Sequence, residues 1–573
     1  MKDHPRLFAS VARFEALKSQ VKTDPVSEQL FTLILREAKK ALGTPKMDYS
    51  AVGPARHGMM RQVQGRILVL AMAYRLTEGL AFVERAKKEL LELAARPDWA
   101  TDHFLTTAEA TLGAAIGLDW LHAFLSEDER TAITQAIVRL ALLPSLDVKE
   151  GNKSWVDAQT NWNQVCHGGL VCGALAIAES EPELAQKIIE RAVQNVPKAG
   201  VIYAPDGAYP EGPSYWSYGT SFQVLLIEAL RSALGTSHSL EKSPGFLKTA
   251  DFRLQMIGPT GVDFNFADYH KEEQNEPIFL WFARELRRRD LAERELSYLQ
   301  DRSLNRHFPL ELLWWQPELP KKKALPLRWV SRGMMPLGVL RSTWDDPSAT
   351  YVAMKGGKAN HSHAHQDAGS FILEADGVRW AVDLGTESYA TMRAAKLDLF
   401  NTAPSSNRWS AFRNGADGHN VLQLGTTPPD VDGFVTIRAA RGNGVVANLT
   451  PLYPTWGQKI KRTMKLNPDR SVTIEDEWTA KEHAVAARFL WLTRAKITRT
   501  ATGLLLKQAG KALALDITLP VNVTVEIQDV SAPRGPQDSP NPGLSRIVLT
   551  APMAAHATVK LRLHAMPFPE KRS

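Results

Sequence analysis

The stretch Pro317-Glu318-Leu319-Pro320-Lys321-Lys322-Lys323-Ala324-Leu325-Pro326-Leu327 divides the chain into two kinds of sequence. Its prolines remove backbone donors and block helix continuation, so neither a helix nor a central strand can run through it. Upstream, apolar residues return every three or four positions in Gln29 to Leu42, Met60 to Thr77, Ala81 to Ala95, His103 to Phe124, Glu127 to Leu143, Asn161 to Glu179, Glu183 to Val196, Ser221 to Leu234 and Pro277 to Arg289. That period predicts amphipathic helices separated by short polar or Gly/Pro breaks. Downstream, short alternating runs bounded by turn residues predict strands at Gly338 to Arg341, Tyr351 to Met354, Ser370 to Glu374, Val472 to Asp476, Val521 to Ile527, Arg546 to Leu549 and Thr558 to Leu563, with Met392 to Phe400 as a short helix. The expected class is α+β and multidomain, with residues 1–325 helical and residues 326–573 forming stacked antiparallel sheets.

At 573 residues the chain exceeds one ordinary core. Its 44% hydrophobic and 23% charged residues are those of a globular protein. The 69 basic and 62 acidic residues leave +7, a mild excess spread along the chain. The runs Lys321-Lys322-Lys323 and Arg287-Arg288-Arg289 are short and read as solvated surface, so no nucleic-acid partner is expected. Cys166 and Cys172 stand six apart in a helical stretch and cannot pair. No apolar stretch approaches the ~18 residues that cross a bilayer, and Met1 to Pro5 holds no hydrophobic signal core, so no membrane partner is expected.

The densest chemistry lies in His361-Ser362-His363-Ala364-His365-Gln366-Asp367, just before an apolar run from Gly369 to Leu373. In an extended chain alternate side chains share a face, so His361, His363, His365 and Asp367 would point one way, as a metal site or an acid–base site requires. One strand supplies too few ligands. Asp383, in the apolar Trp380-Ala381-Val382-Asp383-Leu384-Gly385, and His419, in Gly418-His419-Asn420, offer the rest. Two histidines and a carboxylate suit Zn²⁺ or Mn²⁺; Asp383 could otherwise open a turn before Gly385.

A second cluster, Asn161-Trp162-Asn163-Gln164-Val165-Cys166-His167, opens a helix, where amides and an imidazole can receive a carboxylate. Asn161 could instead cap that helix. A third, Asp206 to Tyr218, holds Glu211, Tyr215 and Tyr218 in an apparent loop, where phenols can stack on sugars or move a proton. Arg56, His57 and Arg61, near an early helix, could grip carboxylate or sulfate.

These residues resemble the heparinase II/III-like polysaccharide lyases. The resemblance runs from His4-Pro5-Arg6-Leu7-Phe8 through His363-x-His365-x-Asp367-x-x-Ser370-Phe371 to Gly418-His419-Asn420, with Asn161 and Tyr215 at a similar separation. It implies an N-terminal incomplete (α/α) toroid, a C-terminal antiparallel β-sandwich, and β-elimination on a uronate polymer such as hyaluronan, chondroitin, heparan sulfate or alginate. By position, Asn161 resembles the group that neutralises the uronate carboxylate, Tyr215 the acid and also a base, and His363 the partner base. His365, Asp383 and His419 resemble the ligands of one divalent ion, Zn or Mn, with a mainly structural role. Tryptophan at 216 replaces the family's usual histidine, so Tyr218 stays a second candidate to Tyr215; Asn163 and His167 stay alternatives to Asn161. The resemblance further implies a bacterial protein of the periplasm or exterior. Three other readings remain open: a glycoside hydrolase for unsaturated uronyl oligosaccharides, using Asp206 and Glu211; a metal-dependent hydrolase; and a noncatalytic glycan-binding protein.

Overall fold

The computed structural model describes residues 2–147, 155–269, 275–299, 304–320, 324–482, 485–518, 523–551 and 556–567. Lys321 to Lys323 lie outside them. The chain divides into a helical unit, Met1–Val201 with Tyr215–Ala250 and Glu272–Lys323, and a sheet unit, Ile202–Ser214 with Asp251–Lys271 and Ala324–Ser573.

Two layers build the helical unit, as in an (α/α) toroid. The inner helices pack in series: Pro54–Thr77 on Phe104–Trp120, and Phe104–Trp120 on Asn161–Ala176. Phe104–Trp120 is buried throughout, and Asn161–Ala176 is buried except at Trp162, so polarity on one face is not needed to orient them. Small residues let them close up, and a Cβ on Gly169 would stand 2.4 Å from the Ala108 carbonyl oxygen. Pro25–Gly43, Leu80–Ala94 and Pro182–Gly200 instead carry apolar stripes that pack on the inner helices, leaving charged faces outward. Helix Pro25–Gly43 begins ahead of the expected Gln29 because Asp24 caps it, accepting from Ser27 N at 2.8 Å, with Pro25 just inside the start. The larger correction concerns Ser221 to Leu234: the helix starts at Pro213, so Tyr215 and Tyr218 ride its first turns rather than a loop.

Among the described residues the sheet unit contains antiparallel sheets of five, eight and four strands. The five-stranded sheet runs Arg328–Val330, Leu337–Arg341, Tyr351–Lys355, Phe371–Ala375, Val378–Ala381 in spatial order. One apolar core joins all three sheets, through Val352 and Phe371 of the first, Ile474 and Trp478 of the second, and Phe489, Trp491 and Ile547 of the third. The expected strand from Val521 begins outside the described residues and is seen as Thr524–Asp529, and the short helix expected at Met392 to Phe400 is Tyr389–Ala394. A single domain boundary near residue 325 gives way to a threaded one. Residues 251–271 belong with the sheets because charged side chains of the sheets stitch them there: Arg379 donates to the Asp263 carbonyl at 2.7 Å, and Glu374 accepts from Thr260 N at 3.0 Å, while Arg253 pairs with Asp263 at 2.6 Å within the segment.

Inside the sandwich, Arg462 and Asp476 form a fully buried pair, Nε to Oδ1 and Nη2 to Oδ2 both at 2.7 Å. The remaining Arg462 nitrogen donates to the carbonyls of Gly369 and Asn420, each at 2.7 Å. Asn420 in turn donates to the Phe371 and Val382 carbonyls and accepts from Leu492 N at 2.6 Å. These bonds fix the segments carrying His365, Asp383 and His419, with both charges of the Arg462–Asp476 pair satisfied.

Candidate active site and metal centre

The histidine segment is not the strand that its alternation suggests. Residues 359–363 form bends and a turn, the strand starts only at Phe371, and His363 adopts a left-handed backbone (φ +61°). Such a conformation is costly for a residue with a Cβ and needs support from its surroundings. Asp268 supplies it: its N–H donates to the His363 carbonyl at 3.0 Å, while its carboxylate Oδ2 lies 3.1 Å from His363 Nδ1.

Asp268 is the hub of the sheet unit's polar cluster. Oδ1 takes His365 Nε2 at 3.0 Å and Arg408 Nη2 at 2.7 Å; Oδ2 takes the Tyr389 hydroxyl at 2.7 Å besides His363. Asp268, His365 and Arg408 are fully buried. Burial alone would favour the neutral acid; Arg408 and then the two imidazoles hold the Asp268 carboxyl well below the usual carboxylate range. His363 therefore leans on a fixed anion through Nδ1, which leaves Nε2 as the exchangeable nitrogen, 3.6 Å from Glu211 Oε2. Glu211 is buried on a sharp bend: Gly212 has φ +86°, and a Cβ there would stand 2.7 Å from the Phe266 carbonyl oxygen.

Behind this hub, His365, Asp367 and His419 present ligand atoms all within 4.8 Å of one another. His365 Nδ1, Asp367 Oδ2 and His419 Nε2 are buried and have no hydrogen-bond partner. Such atoms are costly to leave bare, and a divalent cation would satisfy all three. Of the expected His365, Asp383 and His419, the two histidines lie beside Asp367, and the Asp383 carboxylate reaches His419, Oδ2 to Nδ1 at 3.2 Å, and accepts from Gly385 N at 2.9 Å. Lys355 also contacts Asp367. Despite burial, His419 holds the Asp383 carboxyl below its ordinary range, which marks Asp383 as the anion that orients that imidazole. Gly418 permits the approach, since a Cβ there would fall 2.0 Å from the Phe412 carbonyl oxygen. His361 bonds locally to the Ser362 carbonyl at 3.1 Å and stands apart from the group.

The helical unit carries its own cluster. Tyr218 Oη lies 3.4 Å from His57 Nε2, and Thr106 Oγ1 joins His57 and His103 at 3.4 and 2.8 Å. The rings of His57, His103 and Trp162 meet edge to face in sequence. Arg61 and Arg306 both lie over the Tyr218 ring, at 5.6 and 5.7 Å, and both reach Glu109. Burial, then Arg61, His103 and Arg306, push His57 down to about 3, so it is neutral at physiological pH. Burial and Glu109 raise the Tyr218 phenol.

Several expected roles change. Asn161 is the first residue of its helix and fully buried, while the capping position belongs to Thr160. Asn163 Nδ2 donates to the Val156 and Asn195 carbonyls at 2.9 and 3.2 Å, and His167 Nε2 donates to Val156 at 3.0 Å, so both tie down chain. Trp216 is core, stacked near Phe279 and Phe282 with its indole N–H on Thr249 at 2.8 Å; Tyr215 remains half-buried on the same helix. Arg56 is engaged by Asp98. Sequence reasoning missed Asp268, Arg408 and Tyr389. Asp268 ends the apolar Phe264-Asn265-Phe266-Ala267-Asp268, so the argument that singled out Asp383, an acid in an apolar run, applied to it equally.

Residues 337–529 match the family model described as Heparinase II/III-like, C-terminal. No curated protein matches the chain. Among solved structures, the heparan sulfate lyase HepC from Pedobacter heparinus aligns with a TM-score of 0.59 and 14% identity, over 100% of this chain and 87% of that one. Heparinase III aligns at 0.57 and 14%, over 92% and 79%. The Streptomyces coelicolor A3 chondroitin AC lyase, seen with chondroitin sulphate, aligns at 0.51 and 12%, over 98% and 83%. At these identities the likeness establishes the fold.

Proposed function

We propose that this chain, whose residues 337–529 belong to the heparinase II/III-like C-terminal family, is a lyase that cleaves a uronate-containing polysaccharide by β-elimination. One observation carries the reading: His363 is clamped through Nδ1 on a buried, ionised Asp268, which leaves Nε2 to take a proton. In the reaction, neutralisation of the uronate carboxylate by a hydrogen-bond donor acidifies the C5 proton. His363 Nε2 removes that proton, and the Tyr215 phenol protonates the departing glycosidic oxygen. The carbon–oxygen bond breaks as the C4–C5 double bond forms. Tyr389, bonded to Asp268, keeps the His363 ring from turning.

His365, Asp367 and His419 would hold a divalent ion, Zn or Mn, with Asp383 behind His419; bound there, it supplies charge and rigidity to the shell supporting His363. The candidate substrates are heparan sulfate, chondroitin, hyaluronan and alginate, polymers met in the bacterial periplasm or outside the cell. No helix among the described residues is long and apolar enough to cross a membrane.

The test is incubation of each polymer with the protein while ultraviolet absorbance and reducing ends are followed together. Elimination raises both. New reducing ends without absorbance would establish a hydrolase instead, and binding without either would establish a glycan-binding protein.

A further inference from the structure

Phe400 is the most exposed phenylalanine among the described residues, with 56% of its surface open to solvent. One exposed ring needs no explanation by itself, but this one stands against the proposed base. Its ring meets those of His363 and Tyr389 edge to face, each at 5.6 Å between centroids, with interplanar angles of 84° and 85°. His363 and Tyr389 both bond to Asp268 Oδ2, so Phe400 borders the same carboxylate hub while facing solvent itself.

The loop that carries Phe400 is tightly bonded. Asp398 N donates to Asn407 Oδ1 at 2.7 Å, and Asn401 Nδ2 and Ser406 Oγ both donate to Asp398 Oδ2 at 3.1 Å. Thr402 Oγ1 donates to Asn360 Oδ1 at 2.9 Å, which ties the loop to the segment leading into His363. Arg408 donates through Nη1 to the Leu399 carbonyl, one residue before Phe400, and through Nη2 to Asp268 Oδ1 at 2.7 Å. One buried guanidinium therefore sets both the anion behind His363 and the backbone that presents Phe400. A ring held in this way has little freedom left to lose when a ligand covers it.

We infer that Phe400 is a stacking platform for the acidic polysaccharide, an assignment that rests on the lyase reading and adds a substrate-binding residue to it. Its centroid is displaced 5.6 Å from that of the His363 imidazole, so the sugar it meets is the neighbour of the unit that yields its proton. An aromatic ring offers apolar area and a negative face to the C–H groups of a pyranose, and exposed apolar surface beside a polar site marks a ligand groove. Such a contact holds ground state and transition state alike, so its loss should raise KM and spare kcat. An edge-to-face contact that only steadies His363 would instead lower kcat at constant KM.

Initial rates of elimination test this on the full chain, with hexasaccharides of heparan sulfate, chondroitin, hyaluronan and alginate as substrates. Phe400→Ala should raise KM about tenfold, with kcat within about threefold and the melting temperature near the parent's. Phe400→Tyr keeps the ring and should hold KM within about twofold of the parent, whereas Phe400→Leu, apolar but not flat, should resemble Phe400→Ala. Ile527→Ala, an exposed apolar side chain of strand Thr524–Asp529, should match the parent. An unchanged KM in Phe400→Ala, a loss that falls mainly in kcat, or full recovery by Phe400→Leu overturns the inference. If no hexasaccharide is eliminated, the lyase reading fails by itself, and calorimetry with the same four probes decides the platform. Binding about tenfold weaker in Phe400→Ala then keeps it. Equal binding, or no binding to either protein, sinks it.

Discussion

In the sheet unit, the polar cluster around Asp268 is built on a charge pair, Asp268 with Arg408, at contact distance; in the helical unit, the cluster around Tyr218 keeps its histidine uncharged by burying it. Five side chains from three segments, His363 and His365, Thr386 and Tyr389, and Arg408, converge on the two oxygens of Asp268, so geometry there is over-determined and even supports a left-handed histidine. Around Tyr218 the contacts are long, 3.4 Å to His57 and more than 5 Å to the neighbouring guanidinium carbons, so protonation state rather than position is what the environment fixes. The contrast teaches that a base needs a rigid partner to set which nitrogen is free, whereas a phenol that donates a proton needs only to stay protonated.

The largest effects should follow removal of the proton carriers. His363→Ala and Tyr215→Phe should each lower the elimination rate by about 10²–10⁴-fold, with melting temperatures near the parent's. If Tyr215→Phe stays active while Tyr218→Phe does not, the proton carrier is Tyr218, and the contrast sharpens into one residue. Next comes the hub: Asp268→Asn keeps the shape but removes the anion, and should cut kcat about 10–100-fold with little change in KM, since His363 would lose its tautomer and orientation. A rise in KM at constant kcat would show that Asp268 serves substrate binding instead.

How far each unit was legible follows from the same difference. Helical period and strand alternation report burial of one face, so the elements and the α+β division were readable, and the Pro- and Lys-rich bridge marked the change. What periodicity does not encode is a buried polar contact between distant segments, and such contacts, Thr260 N to Glu374, Arg379 to the Asp263 carbonyl and Arg408 with Asp268, carry residues 251–271 to the sheets. The histidine segment misled for a related reason: its alternation reads as a strand, yet the convergence of His363 and His365 is produced by turns around Asp268, 95 and 97 positions away. Asp367 was noted on that segment, but only three-dimensional proximity sets it beside His365 and His419.

The metal centre tests how much of the sheet cluster's rigidity comes from protein alone. Elemental analysis should find about one zinc or manganese per chain, and its removal by chelation should lower the melting temperature reversibly. The stabilisation lost is about 2.7 kcal/mol for free metal at a hundredfold excess over Kd. His419→Ala should abolish both the metal and the shift, while residual elimination persists in the chelated parent. A parent protein free of metal, with a chelator-insensitive melt, would leave the buried donors to protein contacts only.

The smallest effect belongs to the helical unit and tests the claim that burial fixes protonation there. Burial, partly opposed by its bond to the Val156 carbonyl, pushes His167 down to about 3. The unfolded chain takes up that proton near pH 6.5 but the folded one does not, so the folded state loses stability as pH falls from about 6.5 toward 3. At pH 5 the loss is about 2 kcal/mol relative to neutral pH. His167→Gln can still donate to Val156 but cannot titrate. The difference in denaturant-unfolding stability between pH 7 and pH 5 should therefore shrink by about that amount. Equal pH dependence in parent and variant would mean that the folded state admits the proton after all, and the distinction between a charge-locked cluster and a burial-locked one would fail at its simplest point.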